Sequence, residues 1–154
     1  MASSERYQRY FRVSWERLQN DIRELCKDLE GRTFKGIIAI ARGGLIPTGL
    51  FAQEMGIRNI DTLCVQSYDA MSQREGVSID KGVDHDGEGW LLIDDLVDTG
   101  KTARVVRELL PKALFITVYA KPEGRPLVDR FHTEVSQDTW VVFPWEPNPP
   151  ADDA

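Results

Sequence analysis

Three carboxylates, Asp94, Asp95 and Asp98, stand close together in the chain, and Thr99-Gly100-Lys101-Thr102 follows them directly. They close a short apolar run, Leu91-Leu92-Ile93, and open onto a helical pattern. A strand that ends in acids and then passes through a small, hydroxyl-bearing loop into a helix suits binding better than packing. The free N–H groups of a helix's first turn, with the positive end of its dipole, hold phosphate well. Carboxylates beside a phosphate repel it unless they hold sugar hydroxyls or a metal ion. The stretch therefore reads as a site for a sugar phosphate with a divalent cation.

Other chemistry-bearing residues fall at the ends of predicted elements. Gly36-Ile37-Ile38-Ala39-Ile40-Ala41 is apolar on both faces, as in a buried parallel strand, and ends at Arg42-Gly43-Gly44. Further strands are predicted over 62–66, 113–120 and 139–143. Lys121 lies just past the strand at 113–120, and Trp140 and Val141 lie on the last. Ser14 is a fair N-cap for a helix reaching Glu30, with Leu18, Ile22, Leu25, Cys26 and Leu29 at helical spacing. A second helical pattern runs through Leu50, Phe51 and Met55, with Pro47 in its first turn and Gly56 at its exit. Strands alternating with helices predict an α/β fold with an open, mostly parallel sheet flanked by helices, and ligands in such sheets bind beyond the strands' carboxyl ends. Arg42, Asp94, Lys121 and the segment after Val141 all lie there.

The 154 residues fit one domain, 1–154, with 42% hydrophobic and 29% charged residues. A net charge of −6 argues against a general nucleic-acid binder. Cys26 and Cys64 form no CxxC or metal-ligand spacing, and His85 and His132 lie far apart in polar contexts, so all four read as non-catalytic, the histidines as surface residues. No apolar run reaches membrane-spanning length, which predicts a soluble, cytoplasmic protein. Residues 69–89 are long and polar enough for a lid, with a small hairpin around Asp80-Lys81-Gly82. Residues 144–154 form an irregular, acidic, Pro-rich tail. Gly100-Lys101-Thr102 also resembles the end of a P-loop, but the glycine that motif requires at 95 is Asp95, which excludes an NTPase.

With LLIDDLVDTGKTA on a strand–loop–helix, the chain resembles the type I phosphoribosyltransferases, whose signature is a strand ending in paired acids and then D-T-G-x-T. IIAIARGGLIP resembles their pyrophosphate loop, YAKPEGRPLVD their purine-contacting strand and loop, and DTWVVFPWE the last strand of the bacterial xanthine–guanine branch. The resemblance implies a small C-terminal hood and transfer of ribose 5-phosphate from 5-phosphoribosyl 1-pyrophosphate (PRPP) to a 6-oxopurine, with Mg²⁺. It implies a PRPP site of Arg42, Gly43, Arg74, Asp94, Asp95, Leu96, Val97, Asp98, Thr99, Gly100, Lys101 and Thr102, with Asp94 and Asp95 holding the ribose 2′- and 3′-hydroxyls if the strand ends there, and Asp95 also the metal. Asp98 becomes the catalytic carboxylate near the purine N7, Lys121 the donor to O6, Trp140 the ring that stacks on the base, and Val141 the backbone that reads its 2-position. Trp145 and Glu146 close the same pocket. The pyrophosphate loop is expected to carry a non-proline cis bond, and the protein to be a homodimer or homotetramer. A non-catalytic sensor of PRPP or nucleotides on the same fold is the alternative, disfavoured by the catalytic-type Asp98. An ammonium at 121 suits O6 and clashes with an adenine amino group, which favours a 6-oxopurine over adenine.

Overall fold

A computed structural model describes residues 9–68 and 76–146. In chain order, β1 (Arg9–Arg12) leads into α1 (Trp15–Lys27), β2 (Gly36–Ala41), α2 (Leu45–Met55), β3 (Ile60–Tyr68) and β4 (Gly76–Lys81). Then come β5 (Trp90–Val97), α3 (Lys101–Leu109), β6 (Leu114–Ala120), β7 (Thr133–Glu134) and β8 (Thr139–Val142). Six strands form the main sheet in the order β4-β3-β2-β5-β6-β7, and only the β3–β4 pair is antiparallel. The chain leaves β2 toward one edge and resumes at β5 on its other side. That reversal places the switch point between β2 and β5, where ligands of such sheets sit.

Alternation along the central strand sets the layers. Leu91 and Ile93 pack with Leu18, Ile22, Leu25 and Phe51 of α1 and α2, whereas Leu92 packs with Val106 of α3 and with Phe115. Both faces are covered, so β5 is apolar throughout its first half. Ser14 caps α1, its Oγ accepting from the Arg17 N–H at 3.0 Å. The helix stops at Lys27 rather than Glu30, because the Asp28 and Leu29 N–H groups bond three residues back in a tightened last turn. Cys26 is buried there, and burial pushes its thiol up to about 12, leaving it protonated and inert. Gly56 closes α2 at φ +67°, a left-handed turn that favours glycine.

The expected hood is formed by the last predicted strand: β8 pairs in parallel with β1 in a separate two-stranded sheet. The apolar side of that hood, Phe11, Val141 and Phe143, packs with Tyr119 of β6, the Phe11 and Tyr119 rings meeting edge to face at 5.4 Å. The stretch 69–89 needs correction: its strand pairs with β3 and does not turn back on itself in a hairpin around Asp80-Lys81-Gly82. Residues 76–81 are an edge strand, pinned where Lys81 Nζ donates to Asp61 at 2.8 Å and to the Thr62 carbonyl at 2.6 Å. The first part of the expected lid, 69–75, and the tail beyond 146 lie outside the described residues.

Neither histidine is a simple surface residue. His85 stacks on Trp90 at 4.8 Å and accepts from the Gly87 N–H through Nδ1. His132 bonds Glu24 and Thr133 and lies 3.5 Å from Asp21, whose other oxygen accepts from Tyr119 Oη. Its imidazole holds the Glu24 carboxyl below the usual range. Sequence distance concealed this contact, since α1 and the segment entering β7 meet only in the folded chain.

Gly49 lies within α2 with nothing within 4 Å of where a Cβ would stand. Glycine inside a helix costs roughly 0.5–1 kcal/mol relative to alanine. Gly49→Ala should therefore raise the unfolding free energy by about that amount in urea titrations, with the m-value unchanged.

Candidate active site

The central strand does not stop at its acids. β5 continues in register with β6 through Val97, and Asp94 pairs across from Thr117. Successive residues of a strand point to opposite faces, so the Asp94 and Asp95 side chains leave β5 on different sides. Asp94 lines a cleft of about 540 Å³ together with Leu96, Val97, Asp98, Thr99, Gly100, Lys101, Thr102, Ser67, Ala103 and Phe115. Asp95 turns instead toward Gly43. A Cβ on Gly43 would stand 2.7 Å from both Asp95 carboxylate oxygens. The acid pair thus straddles the end of the sheet, one carboxylate facing each loop.

Burial is the first cause that raises the Asp94 carboxyl well above the ordinary range, and the charge of Asp95 beside it is the second. Burial also raises Asp95, and the Glu146 carboxylate of the chain after β8 adds to this. Burial thus disfavours charge on both acids at once. Asp94 Oδ1 also accepts from the Asp95 N–H at 2.9 Å. Two acids unwilling to be charged together form a donor set that a divalent cation would relieve.

The loop after β5 is shaped for an anion. Gly100 takes φ +89° and offers no side chain to cap α3. The first amide to reach back into the helix is that of Arg104, which donates to the Gly100 carbonyl at 2.9 Å. The amides before it lie at the positive end of the helix dipole, beside the cleft. On the other side, Arg42 and Gly43 follow β2 in a turn entered through a cis Ala41–Arg42 peptide bond. Gly44 is packed so tightly that a Cβ would lie 2.3 Å from the Ile93 carbonyl oxygen.

Asp98 sits at the mouth of the cleft, its Oδ2 accepting from Lys121 Nζ at 3.1 Å. Lys121 is not a snorkelling surface lysine: its side chain is only 2% exposed. Two sequence-separated residues, singled out for separate roles, therefore meet as an ion pair.

Residues 14–152 match the phosphoribosyl transferase domain family. The chain belongs to that family. It is 59% identical over 144 residues to a xanthine-guanine phosphoribosyltransferase of Chromohalobacter salexigens, an alignment covering 94% of this chain and 88% of that one. A protein of the same name from Desulfotalea psychrophila is 57% identical, covering 93% and 90%. Among solved structures, a purine phosphoribosyltransferase from Pyrococcus horikoshii superposes with a TM-score of 0.77 at 26% identity, over 94% of this chain and 99% of that one.

The remaining predicted residues are more dispersed. Trp140 and Val141 do not line the 540 Å³ cleft. They belong to the hood, where they pair in register with Tyr10 and Phe11, and the Val141 side chain is buried. Trp145 stacks on Phe143 at 4.5 Å. Arg74 lies outside the described residues. Sequence reading missed Gln137, which donates to Asp98 Oδ1 at 2.7 Å. No spacing marks it, because its meaning comes only from the return of the chain before β8.

The Gly43–Asp95 contact yields a direct test. A Cβ cannot stand 2.7 Å from a carboxylate without displacing it. Gly43→Ala should lower PRPP-dependent pyrophosphate release at least tenfold, whereas Gly49→Ala, within α2, should retain full activity in the same assay.

Proposed function

We infer that this protein is a purine-salvage phosphoribosyltransferase that transfers ribose 5-phosphate from PRPP to a 6-oxopurine, xanthine or guanine, and releases pyrophosphate. The observation that carries the reading is the single cleft in which an uncapped helix N-terminus, Asp94 and the Lys121-paired Asp98 converge. The names of the 59% and 57% identical relatives support the choice of base.

In this reading the amides of Thr99–Thr102 take the 5′-phosphate, and Asp94 accepts from the ribose hydroxyls. Leu96 and Val97 form the wall of the sugar site. Arg42 and Gly43, with Arg74, meet the pyrophosphate. The bond at the anomeric carbon breaks early, so positioning and electrostatics supply most of the catalysis. Asp98 faces N7 of the base, where it accepts a proton or stabilises the protonated ring as N9 attacks. The ammonium of Lys121 has three donors, enough to keep Asp98 and also bond O6. Trp140 stacks on the base and the Val141 backbone reads its 2-position.

Mg²⁺ fits the site. Asp95 would hold it, because Gly43 leaves its carboxylate room and burial makes an unneutralised charge there costly. When bound it supplies neutralisation of the charge that develops on the departing pyrophosphate. Leu45 and Ile46, exposed apolar residues in the first turn of α2, support assembly as a homodimer or homotetramer.

A pyrophosphate-release assay with PRPP and Mg²⁺ tests the function. Xanthine and guanine should turn over fastest and adenine not measurably; release with adenine alone, or with no base, would refute the assignment. Asp98→Asn should lower kcat by roughly 10²–10⁴ with little change in KM for PRPP.

The acid pair predicts a pH signature. Raised carboxyls contribute stability that is complete below the ordinary carboxylate range and is lost as pH rises through their folded values. A cation needs the ionised acids. Mg²⁺ should therefore raise Tm more at pH 8 than at pH 5, and an equal shift at both would exclude this pair as the metal site.

A further inference from the structure

The loop between β7 and β8 reaches back to the cleft through one side chain. Gln137 Nε2 donates to Asp98 Oδ1 at 2.7 Å, and Gln137 Oε1 accepts from the Glu123 N–H at 3.1 Å. The second bond decides the first, since only the amide oxygen accepts from a backbone N–H, and this turns the NH₂ end toward the carboxylate. The backbone around Gln137 is itself held. The Thr139 N–H donates to the Ser136 carbonyl at 3.1 Å, and Ser136 Oγ lies 2.5 Å from Asp138 Oδ1 and 2.6 Å from Thr139 Oγ1. Lys121 Nζ occupies the other oxygen of Asp98.

A carboxylate held at one oxygen still swings about its Cβ–Cγ bond. Held at both, from two different elements, its plane is set. We propose that Gln137 is a positioning residue for the transfer reaction, fixing the plane of the Asp98 carboxylate so that its remaining lone pairs face the purine. The proposal rests on the reading of Asp98 as the carboxylate that serves the base. Gln137 also lies three residues before Trp140, so the same bond ties the hood strand to the carboxylate. Placement of the base by the hood and aim of the carboxylate are then set by one loop. Gln137 touches Asp98 rather than any reacting atom, so its effect passes through Asp98.

Gln137→Ala is the neutral variant: it removes both bonds without adding charge. Gln137→Glu keeps an oxygen for the Glu123 N–H but sets a second carboxylate against Asp98, which drives that group off its aim. With PRPP, Mg²⁺ and guanine, both should lower kcat roughly ten- to hundredfold, as misplacement of a reacting group does. KM for PRPP should stay within about twofold for both. In an Asp98→Asn background neither substitution should lower kcat further, since residues acting through one group are not additive. Full kcat in Gln137→Glu, or losses that multiply in the double variants, would overturn the positioning role. An Asp98→Asn single variant with normal turnover would instead bring down the reading beneath it, an outcome separate from either result at Gln137.

Discussion

The close approach of two backbones at the sheet's switch point governs the architecture of the site. Gly44 abuts the carbonyl oxygens of Ile93 and Ile40, with no space for even a methyl group against the first. The contact locks the exit of β2 against the middle of β5 just where their pairing stops, after Ala39 and Ile93. From there the two chains diverge, one into the Arg42–Gly43 turn and the other into the acids. Any side chain at 44 would part the loops and enlarge the gap that Gly43 and Asp95 share. Small residues here are a requirement of distance rather than of flexibility, since neither Gly43 nor Gly44 has a positive φ.

The persistence of β5 past its acids changes what the Asp94–Asp95 pair can do. A strand ending at Asp94 would let both carboxylates serve one sugar. A strand running through Val97 gives them different faces and neighbours: Asp94 faces the helix-terminus cleft, and Asp95 faces the turn after β2. Yet they remain close enough for their charges to conflict. The sheet edge thereby divides one acidic motif between two loops and keeps the halves electrostatically linked.

Much of the architecture was legible in the chain. The apolar runs at 36–41 and 114–120 are buried on both faces and could be little else than central parallel strands, and Ser14, Gly56 and Gly100 mark helix ends by local chemistry alone. The helix opening at 99–102 was equally local, because it depends on a glycine and the amides after it. What escaped notice depends on distant segments meeting. Nothing in the order of the chain foretells the Lys121–Asp98 ion pair, and Gln137 and His132 have no local signal. Among the described residues, the phosphate side of the site is thus written in contiguous sequence, and the Asp98 side in tertiary contacts.

The hood has a consequence for the order in which the molecule is made. It joins the first described strand to the last, the widest separation between paired strands in the fold. Closing so long a loop carries the largest entropic cost of any pairing here, and such contacts form late. A ribosome releasing this chain from its N-terminus exposes the loop at 99–102 long before Thr139 emerges. During that interval β1 has no partner strand, and the apolar residues it shares with Tyr119 lie open. The first strand described is therefore, in every synthesis, the one that waits longest for its partner.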